Sequence, residues 1–173
     1  RMETDQTLTE EDWANAWKRF YHPTHLGERL VVCPSWEQYA PAPQELVMTL
    51  DPGMAFGSGT HHTTRLCCEL LEQLPTAGCR VLDMGTGSGI LSIAALLLGA
   101  KEAVGVDIDP KAEDIARENA AYNGFSTPAF TALTGNVTGD KTLMRRLAEQ
   151  TYDLLLVNIV ADVIIGLSPV LPD

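Results

Sequence analysis

The stretch that decides the fold is RVLDMGTGSGILSIAALLLG, from Arg80 to Gly99. It opens as an apolar strand, passes through three glycines that alternate with Thr and Ser, and continues as an apolar helix that Gly99 closes. Glycines between a strand and a helix let the backbone approach a ligand at the carboxyl end of a parallel strand. We therefore predict that this loop is the centre of a nucleoside-binding site.

The strand and helix alternation continues along the chain. Helical spacing begins at Thr63 and ends at Pro75, and a later helix has Pro110 at its start and Gly124 past its end. The remaining predicted segments are the strands EAVGVDID, AFTALTGN and YDLLLVNIV and the helix KTLMRRLAEQ. Nearly continuous apolar strands that alternate with helices indicate a parallel doubly wound sheet, so the predicted fold class is α/β.

The residues before this pattern predict a short extension. TEEDWANAWKRF reads as a helix with Thr9 as its N-cap, and strands are expected around Leu30 to Cys33 and in ELVMTLD. A loop with three glycines, MTLDPGMAFGSGTHHTTRL, from Met48 to Leu66, then precedes the main pattern. Its composition is too apolar for a simple linker and favours a loop that folds over a small ligand.

A carboxylate follows the glycine loop at an informative distance. Asp107 lies 22 residues after Gly85, at the end of the second strand, where it can accept hydrogen bonds from both hydroxyls of a ribose. The loop spacing is G-x-G-x-G, and Ile90 occupies the place of the last glycine of a dinucleotide fingerprint. The pattern therefore disfavours an NAD-dependent oxidoreductase. For Asp83, bracing of the loop and direct ligand contact are equally open.

The pattern D-x-G-x-G-x-G followed by V-D-I-D resembles the class I methyltransferases that use S-adenosylmethionine. The resemblance implies that Gly85, Gly87 and Asp107 contact the cofactor, and that Asn136 contacts the adenine edge, with a turn or N-cap role as its alternative. Asn158 ends the fourth strand at the same edge of the sheet, where burial without a partner would be costly. Amine and amide methyltransferases often carry N-P-P-Y there, whereas this chain has Asn158-Ile159-Val160-Ala161.

Several stretches together are similar to the PrmA family, the methyltransferase of large-subunit ribosomal protein eleven. They include PSWE, LDPGMAFGSGTHHTT, VGVDIDPKA, ARENAAYNG and VNIVADV. In that family the loop and the following helix close over S-adenosylmethionine, and the matching positions here include Phe56, Thr60 and Thr64. Phe56 as a core residue, Thr60 as a turn residue and Thr63 or Thr64 as a helix cap remain the alternatives.

The resemblance implies transfer of a methyl group from S-adenosylmethionine to amino groups of a basic ribosomal protein, at lysine side chains or the N-terminal amine. Asn158 is the expected catalytic residue and a cofactor contact, because it would orient the target nitrogen or the methionine end of the cofactor. No metal is expected, since His61 and His62 lack acidic companions at ligand spacing. A small-molecule methyltransferase and a non-catalytic adenosylmethionine-binding module are the alternatives.

Composition sets limits on partners and compartment. The 173 residues carry a net charge of −11, so no basic surface exists for sequence-independent binding of nucleic acid. The apolar run from Ile90 to Leu98 is too short to span a membrane, and we expect no signal peptide because no charged n-region with an apolar h-region opens the chain. The four cysteines are expected to be reduced and mostly buried, which makes the cytoplasm the predicted compartment.

The resemblance also implies a division of the chain. Residues 1–47 are expected to form a helix and strand extension with a linker, and residues 48–173 the S-adenosylmethionine-binding domain. The family has a substrate-recognition domain before this part and further strands after it, so we expect a central fragment whose sheet is truncated at its C-terminal side.

Overall fold

A small mixed sheet precedes the main sheet. The computed structural model describes residues 18–51 and 61–168, and these begin with one 3-10 turn at Lys18–Phe20. Three strands follow: β1 (Thr24–His25), β2 (Leu30–Pro34) and β3 (Leu46–Leu50). β1 pairs with β2 in antiparallel fashion, and β2 pairs with β3 in parallel fashion.

The predicted strand and helix alternation is confirmed. In chain order the elements are α1 (His62–Gln73), β4 (Arg80–Met84), α2 (Ile90–Leu97), β5 (Glu102–Asp107), α3 (Pro110–Tyr122), β6 (Phe130–Thr134), α4 (Lys141–Ala148), β7 (Leu154–Val157) and α5 (Ala161–Leu167). The four strands form one parallel sheet in the order β6-β5-β4-β7. The fold is therefore the doubly wound α/β class that the sequence predicts.

The strand order places a crevice beside β4. The chain runs outward from β4 to β5 and β6, and then returns to the other side of β4 to form β7. Because β4 and β7 are paired neighbours, the loops that leave them start side by side at the carboxyl edge of the sheet. This is the topological switch point at which doubly wound sheets bind ligands.

Helices cover both faces of the sheet because side chains along each strand alternate in direction. Val81 joins a core with α1, α2, α3 and the small sheet, whereas the next residue, Leu82, joins a second core with α4 and α5. Helix α2 is deeply buried, since every residue from Ile90 to Leu96 is buried. Two separate cores therefore hold the sheet rigid from either side.

One carboxylate anchors the small sheet to helix α1. Glu72 accepts hydrogen bonds from three successive backbone N–H groups, those of Glu28, Arg29 and Leu30, at 2.7, 2.8 and 2.7 Å. The contact requires a glycine at position 27, because a Cβ there would lie 2.5 Å from Glu72 Oε2. A charged acceptor shared by several N–H groups is among the stronger hydrogen-bonding arrangements in proteins.

Asn119 of α3 and Asn123, the C-cap of that helix, anchor β3. Asn123 accepts from the N–H of Thr49 at 2.8 Å and donates to its carbonyl oxygen at 2.7 Å. One turn earlier, Asn119 accepts from the N–H of Asp51 at 2.8 Å and donates to the carbonyl oxygen of Ser88 at 2.9 Å. The end of β3 is therefore joined through α3 to the glycine loop.

The structure differs from the sequence prediction in the cap of α1 and in two further elements, and one predicted helix lies mostly outside the described residues. The N-cap of α1 is His61, whose ring nitrogen accepts from the N–H of Thr63, so Thr63 and Thr64 lie inside the first turn and neither is the cap. Strand β1 and helix α5 follow from no pattern identified in the sequence. Of the predicted helix from Thr9, only Lys18–Phe20 falls among the described residues.

The predicted division after residue 47 falls within strand β3, and the two-part domain assignment stays a prediction. No helix within residues 18–51 or 61–168 is both long and apolar enough to cross a membrane.

We predict that Glu72→Gln lowers the free energy of unfolding by about 1.5–3 kcal/mol, because the amide keeps one acceptor oxygen and turns its NH2 group toward a backbone donor. Urea denaturation measures the change. Glu69→Gln is the matched control on the same helix: Glu69 pairs with Arg65 at the surface, and its loss should cost less than about 0.5 kcal/mol. Equal losses for the two variants would refute the anchoring role of Glu72.

Candidate functional site

A cavity of about 700 Å³ lies at the switch point of the parallel sheet. Gly85, Gly87, Asp107, Asn136 and Asn158, which the sequence predicts as site residues, all line it. Asp107 is the last residue of β5, and the others lie in the loops that follow β4, β6 and β7, so the carboxyl end of every strand in the parallel sheet contributes. The structure thus brings these five predicted residues together.

The glycine loop adopts a conformation that other residues rarely take. Gly85, Gly87 and Gly89 all have positive φ angles, of 78°, 54° and 81°. Gly85 has a second constraint, because a Cβ there would lie 2.0 Å from Cγ2 of Ile159. The loops after β4 and β7 therefore touch at Gly85, and only a residue without a side chain allows that contact.

The buried carboxylate of Asp83 braces the glycine loop. Its Oδ2 accepts from the hydroxyls of Thr86 and Ser92, both at 2.8 Å, and Asp83 is only 1% exposed. Burial raises the pKa of the Asp83 carboxyl, and the two hydroxyl hydrogen bonds oppose that rise. Asp83 does not line the cavity. The contacts therefore favour bracing over ligand contact.

Thr86 also explains a glycine inside β5. A Cβ at Gly105 would lie 2.7 Å from Thr86 Oγ1, so the neighbouring strand must leave room for this side chain. The backbone N–H groups of Gly85 and Thr86 both donate to the carbonyl oxygen of Val106, at 2.8 and 3.0 Å. Packing of Thr86 against Gly105 and two backbone hydrogen bonds to Val106 thus hold the glycine loop against β5.

Asp107 joins the glycine loop to the end of β5. Its Oδ2 accepts from the N–H of Gly87 at 2.8 Å, and its Oδ1 accepts from the N–H of Asp109 at 3.0 Å. Each carboxylate oxygen has a further lone pair, so both can still accept from a ligand. Backbone contacts therefore fix the direction of the Asp107 carboxylate before a ligand arrives.

Asn136 forms a local turn at the third wall. Its Oδ1 accepts from both the N–H and the hydroxyl of Thr138, at 2.9 and 2.7 Å. Asp140, and not Asn136, is the N-cap of α4. Asn136 therefore has the turn role and not the N-cap role. Its contact with an adenine edge stays a prediction.

Asn158 lines the cavity at the end of β7 and has a partner behind it. Its Nδ2 donates to Thr64 Oγ1 at 3.2 Å. Thr64 is 1% exposed and is not among the lining residues, so its direct contact with a ligand stays a prediction. Thr60 and Phe56 lie outside the described residues.

Much of the cavity wall is apolar, and sequence reasoning missed it. The lining includes Val106, Ile108, Val137, Ile159, Val160 and Val163. Ile108 is 68% exposed although it directly follows a buried strand. Apolar residues immediately after the polar strand ends were the available signal: Ile108 follows Asp107, Val137 follows Asn136, and Ile159 follows Asn158.

His61 and Thr63 also line the cavity, and their side chains contact each other at 2.7 Å. Within residues 18–51 and 61–168, no group of three or more His, Cys, Asp or Glu side chains could hold a metal ion.

Solved structures share this architecture. A crystal structure of ribosomal protein L11 methylase from Lactobacillus delbrueckii subsp. bulgaricus matches with a TM-score of 0.74 and 36% identity, over 86% of this chain and 72% of that one. An RNA methyltransferase from Salinibacter ruber, in complex with S-adenosyl-L-homocysteine, shares the fold with a TM-score of 0.51 and 21% identity, over 61% and 64% of the two chains. Fold and site together place the protein among the class I methyltransferases.

Sequence comparison identifies the family. The family model described as ribosomal protein L11 methyltransferase (PrmA) matches residues 1–173, and this chain belongs to that family. Curated relatives named ribosomal protein L11 methyltransferase are 52% identical in Symbiobacterium thermophilum and 48% identical in Geobacter metallireducens. Those matches cover 94% and 95% of this chain but 50% and 51% of the relatives, so the chain spans about half their length.

We predict that Gly85→Ala destabilises the protein more than Gly78→Ala does. Both glycines have φ of 78°, but a Cβ at Gly78 meets nothing within 4 Å. Gly78→Ala should cost about 1 kcal/mol for backbone strain alone, and Gly85→Ala a further 1–3 kcal/mol, roughly, for the clash with Ile159. Chemical denaturation of both variants measures the difference.

Adding Ile159→Ala to Gly85→Ala should recover that extra loss, because the clash is with Cγ2 and the Ile159 Cβ would lie at an ordinary 3.5 Å. No recovery in the double variant would mean that Ile159 is not what restricts position 85.

We also predict a pH-dependent effect of Asp83→Asn. Because the pKa of Asp83 is raised in the folded protein, the folded state holds this proton more tightly than the unfolded state does. The stability gained by binding this proton is fully present below pH 3.8, the ordinary pKa of the carboxyl, and is lost as pH rises through the pKa of Asp83 in the folded protein. The unfolding free energy of Asp83→Asn relative to wild type should therefore increase with pH across that window and then level off. A difference between the two proteins that does not change with pH would contradict this assignment.

Proposed function

We propose that this chain forms the S-adenosylmethionine-binding part of a protein N-methyltransferase that acts on ribosomal protein L11. The observation that carries the proposal is the convergence of the glycine loop, Asp107 and Asn158 on one cavity at the switch point of the sheet. Membership of the PrmA family supports the reaction class and the substrate.

The cavity suits a nucleoside attached to an amino acid. Its volume of about 700 Å³ lies within the range of sites for small molecules and cofactors. We infer that Gly85 and Gly87 admit the amino-acid part close to the backbone, that Asp107 accepts from the ribose hydroxyls, and that Asn136 lies at the adenine edge. Ile108 and Val137 offer an apolar surface against which a base can pack.

Methyl transfer from S-adenosylmethionine needs no strong general acid or base from the protein. When bound, S-adenosylmethionine supplies a methyl group that is already activated by its sulfonium charge. The protein must then bring a neutral amine into line with that methyl group and keep water away. In this proposal the side-chain oxygen of Asn158 accepts a hydrogen bond from the amine and so directs its lone pair.

The apolar wall beside Asn158 contributes to deprotonation of the amine. A lysine amine carries a proton at neutral pH, and burial in an apolar environment disfavours the charged form and lowers its pKa. Ile159, Val160 and Val163 provide that environment on the cavity wall. A flexible aliphatic amine needs no aromatic platform, which agrees with the absence of Pro-Pro-Tyr after Asn158.

Charge and thiol state support the proposed partner and compartment. With a net charge of −11, the chain favours a basic partner such as a ribosomal protein. All four cysteines are free, with Cys33 and Cys68 buried, as expected for a protein of the reducing cytoplasm.

We predict that calorimetry will detect binding of S-adenosylmethionine and not of NAD. Asp107→Asn should weaken S-adenosylmethionine roughly 10- to 150-fold, because two ribose hydroxyls lose a charged acceptor. Asp114→Asn, on the outer face of α3, controls for the change in net charge. Unchanged affinity in Asp107→Asn would remove this residue from the site, and binding of NAD alone would overturn the proposed cofactor.

The substrate is tested by transfer of labelled methyl groups from S-adenosylmethionine to purified ribosomal protein L11, with small amines supplied in parallel. The proposal expects label in L11, at lysine side chains or the N-terminal amine. Label only in small amines would indicate a small-molecule methyltransferase, and binding without any transfer would indicate a non-catalytic module.

A further inference from the structure

Two side chains hold the central residues of a turn in the glycine loop. The turn covers positions 86–89 and is closed by a hydrogen bond of 2.8 Å from its last N–H to its first carbonyl oxygen. Asp107 accepts from the N–H of Gly87 at 2.8 Å, and Asn119 of α3 donates to the carbonyl oxygen of Ser88 at 2.9 Å. Asp107 lines the cavity, whereas Asn119 is 1% exposed and is not among the lining residues. Asn119 therefore acts on the loop from outside the cavity.

The orientation of the Asn119 amide is fixed, because each of its partners can play only one role. Oδ1 accepts from the N–H of Asp51 at 2.8 Å, and a backbone N–H can only donate. Nδ2 donates to the carbonyl oxygen of Ser88, which can only accept. A reversed amide would set donor against donor and acceptor against acceptor in a buried place, which is costly. The end of β3 and the turn are thus held by opposite ends of one side chain.

Helix α3 also packs directly against the turn. Gly89 has a φ of 81°, and a Cβ there would lie 3.1 Å from the Cβ and 3.3 Å from the Cα of Ala116. Ala116 is fully buried and lies three residues before Asn119 on the helix. The helix backbone is therefore close enough for the short side chain of Asn119 to reach the loop.

We propose that Asn119 is a positioning residue for S-adenosylmethionine, which sets the turn that meets the amino-acid part of the ligand. The inference rests on the proposed function, in which Gly85 and Gly87 admit that part. A glycine at position 87 leaves the backbone many conformations, and a hydrogen bond at the neighbouring Ser88 restricts them before the ligand arrives. Restriction of this kind lowers the entropy cost of binding for those ligand groups that contact the turn.

Two ligands test the proposal by calorimetry on this chain. S-Adenosylhomocysteine carries a nucleoside and an amino acid, whereas methylthioadenosine carries the nucleoside without the amino acid. We expect Asn119→Ala to weaken S-adenosylhomocysteine roughly tenfold and methylthioadenosine less than about twofold, because only the first ligand has an amino-acid part to meet the turn. Asn119→Leu removes the amide while keeping much of the side-chain volume, and it should give the same selective loss.

Asn123→Ala is the matched control. Asn123 lies four residues further along and holds β3 in the same way, through the N–H and the carbonyl oxygen of Thr49. Its third hydrogen bond goes to the backbone of Asn119 within the helix and not to the glycine loop. Asn123→Ala should lower the urea midpoint, as Asn119→Ala does, but change both affinities by less than about twofold.

Other outcomes overturn the inference. Equal weakening of the two ligands by Asn119→Ala and Asn119→Leu would indicate a general loss of structure, and no weakening of either ligand would show that Asn119 only anchors β3. The same selective loss in Asn123→Ala would assign the effect to β3 and not to the turn. In these cases the wild-type chain still binds, so the proposed function stands. If the wild-type chain binds neither ligand, the proposed function itself fails, and the positioning role fails with it.

Discussion

The buried carboxylate of Asp83 receives the hydroxyls of Thr86 and Ser92, and the geometry of the cavity depends on this arrangement. Thr86 belongs to the glycine loop and Ser92 to α2, so one side chain of β4 ties the loop and the helix to the strand that precedes them. The loop glycines supply the unusual backbone angles but no side-chain contacts of their own. An acceptor below the loop is therefore needed to select one conformation among the many that glycine permits.

The same region shows why ligand-facing groups can be fixed in advance. Asp107 accepts from the loop backbone, Asn136 accepts from its own turn, and Asn158 donates to Thr64. Each polar group thus uses part of its hydrogen-bonding capacity on the protein and keeps the remainder for the cavity. Preorganisation of this kind reduces the entropy that binding would otherwise cost, and the two rigid cores on either side of the sheet support it.

Local patterns predicted most of the fold and the polar part of the site. Strand and helix alternation indicated the parallel sheet, and positions such as Gly85, Asp107 and Asn158 were identifiable because strand ends in such a sheet share one edge. The long-range partners were not predictable. That Glu72 would bind the turn before β2, or that Thr64 would meet Asn158, depends on how distant segments approach, and a single sequence carries no signal for that distance. The apolar wall was missed because Ile108 and Val137 look like ordinary strand-end residues.

The asparagine pair on α3 has a consequence for how the chain tolerates change. Asn119 and Asn123 are four residues apart, a rise of about 6 Å along a helix. Their acceptor contacts are with the backbone at positions 49 and 51, and two residues of an extended strand span roughly 6.6 Å. The rise of four helical residues thus matches the length of two strand residues, and the hydrogen bonds use only the backbone at positions 49 and 51. Substitutions at position 49 other than proline therefore leave the pairing intact, whereas deletion or insertion of a single residue there would shift the backbone groups of the strand relative to the two asparagines.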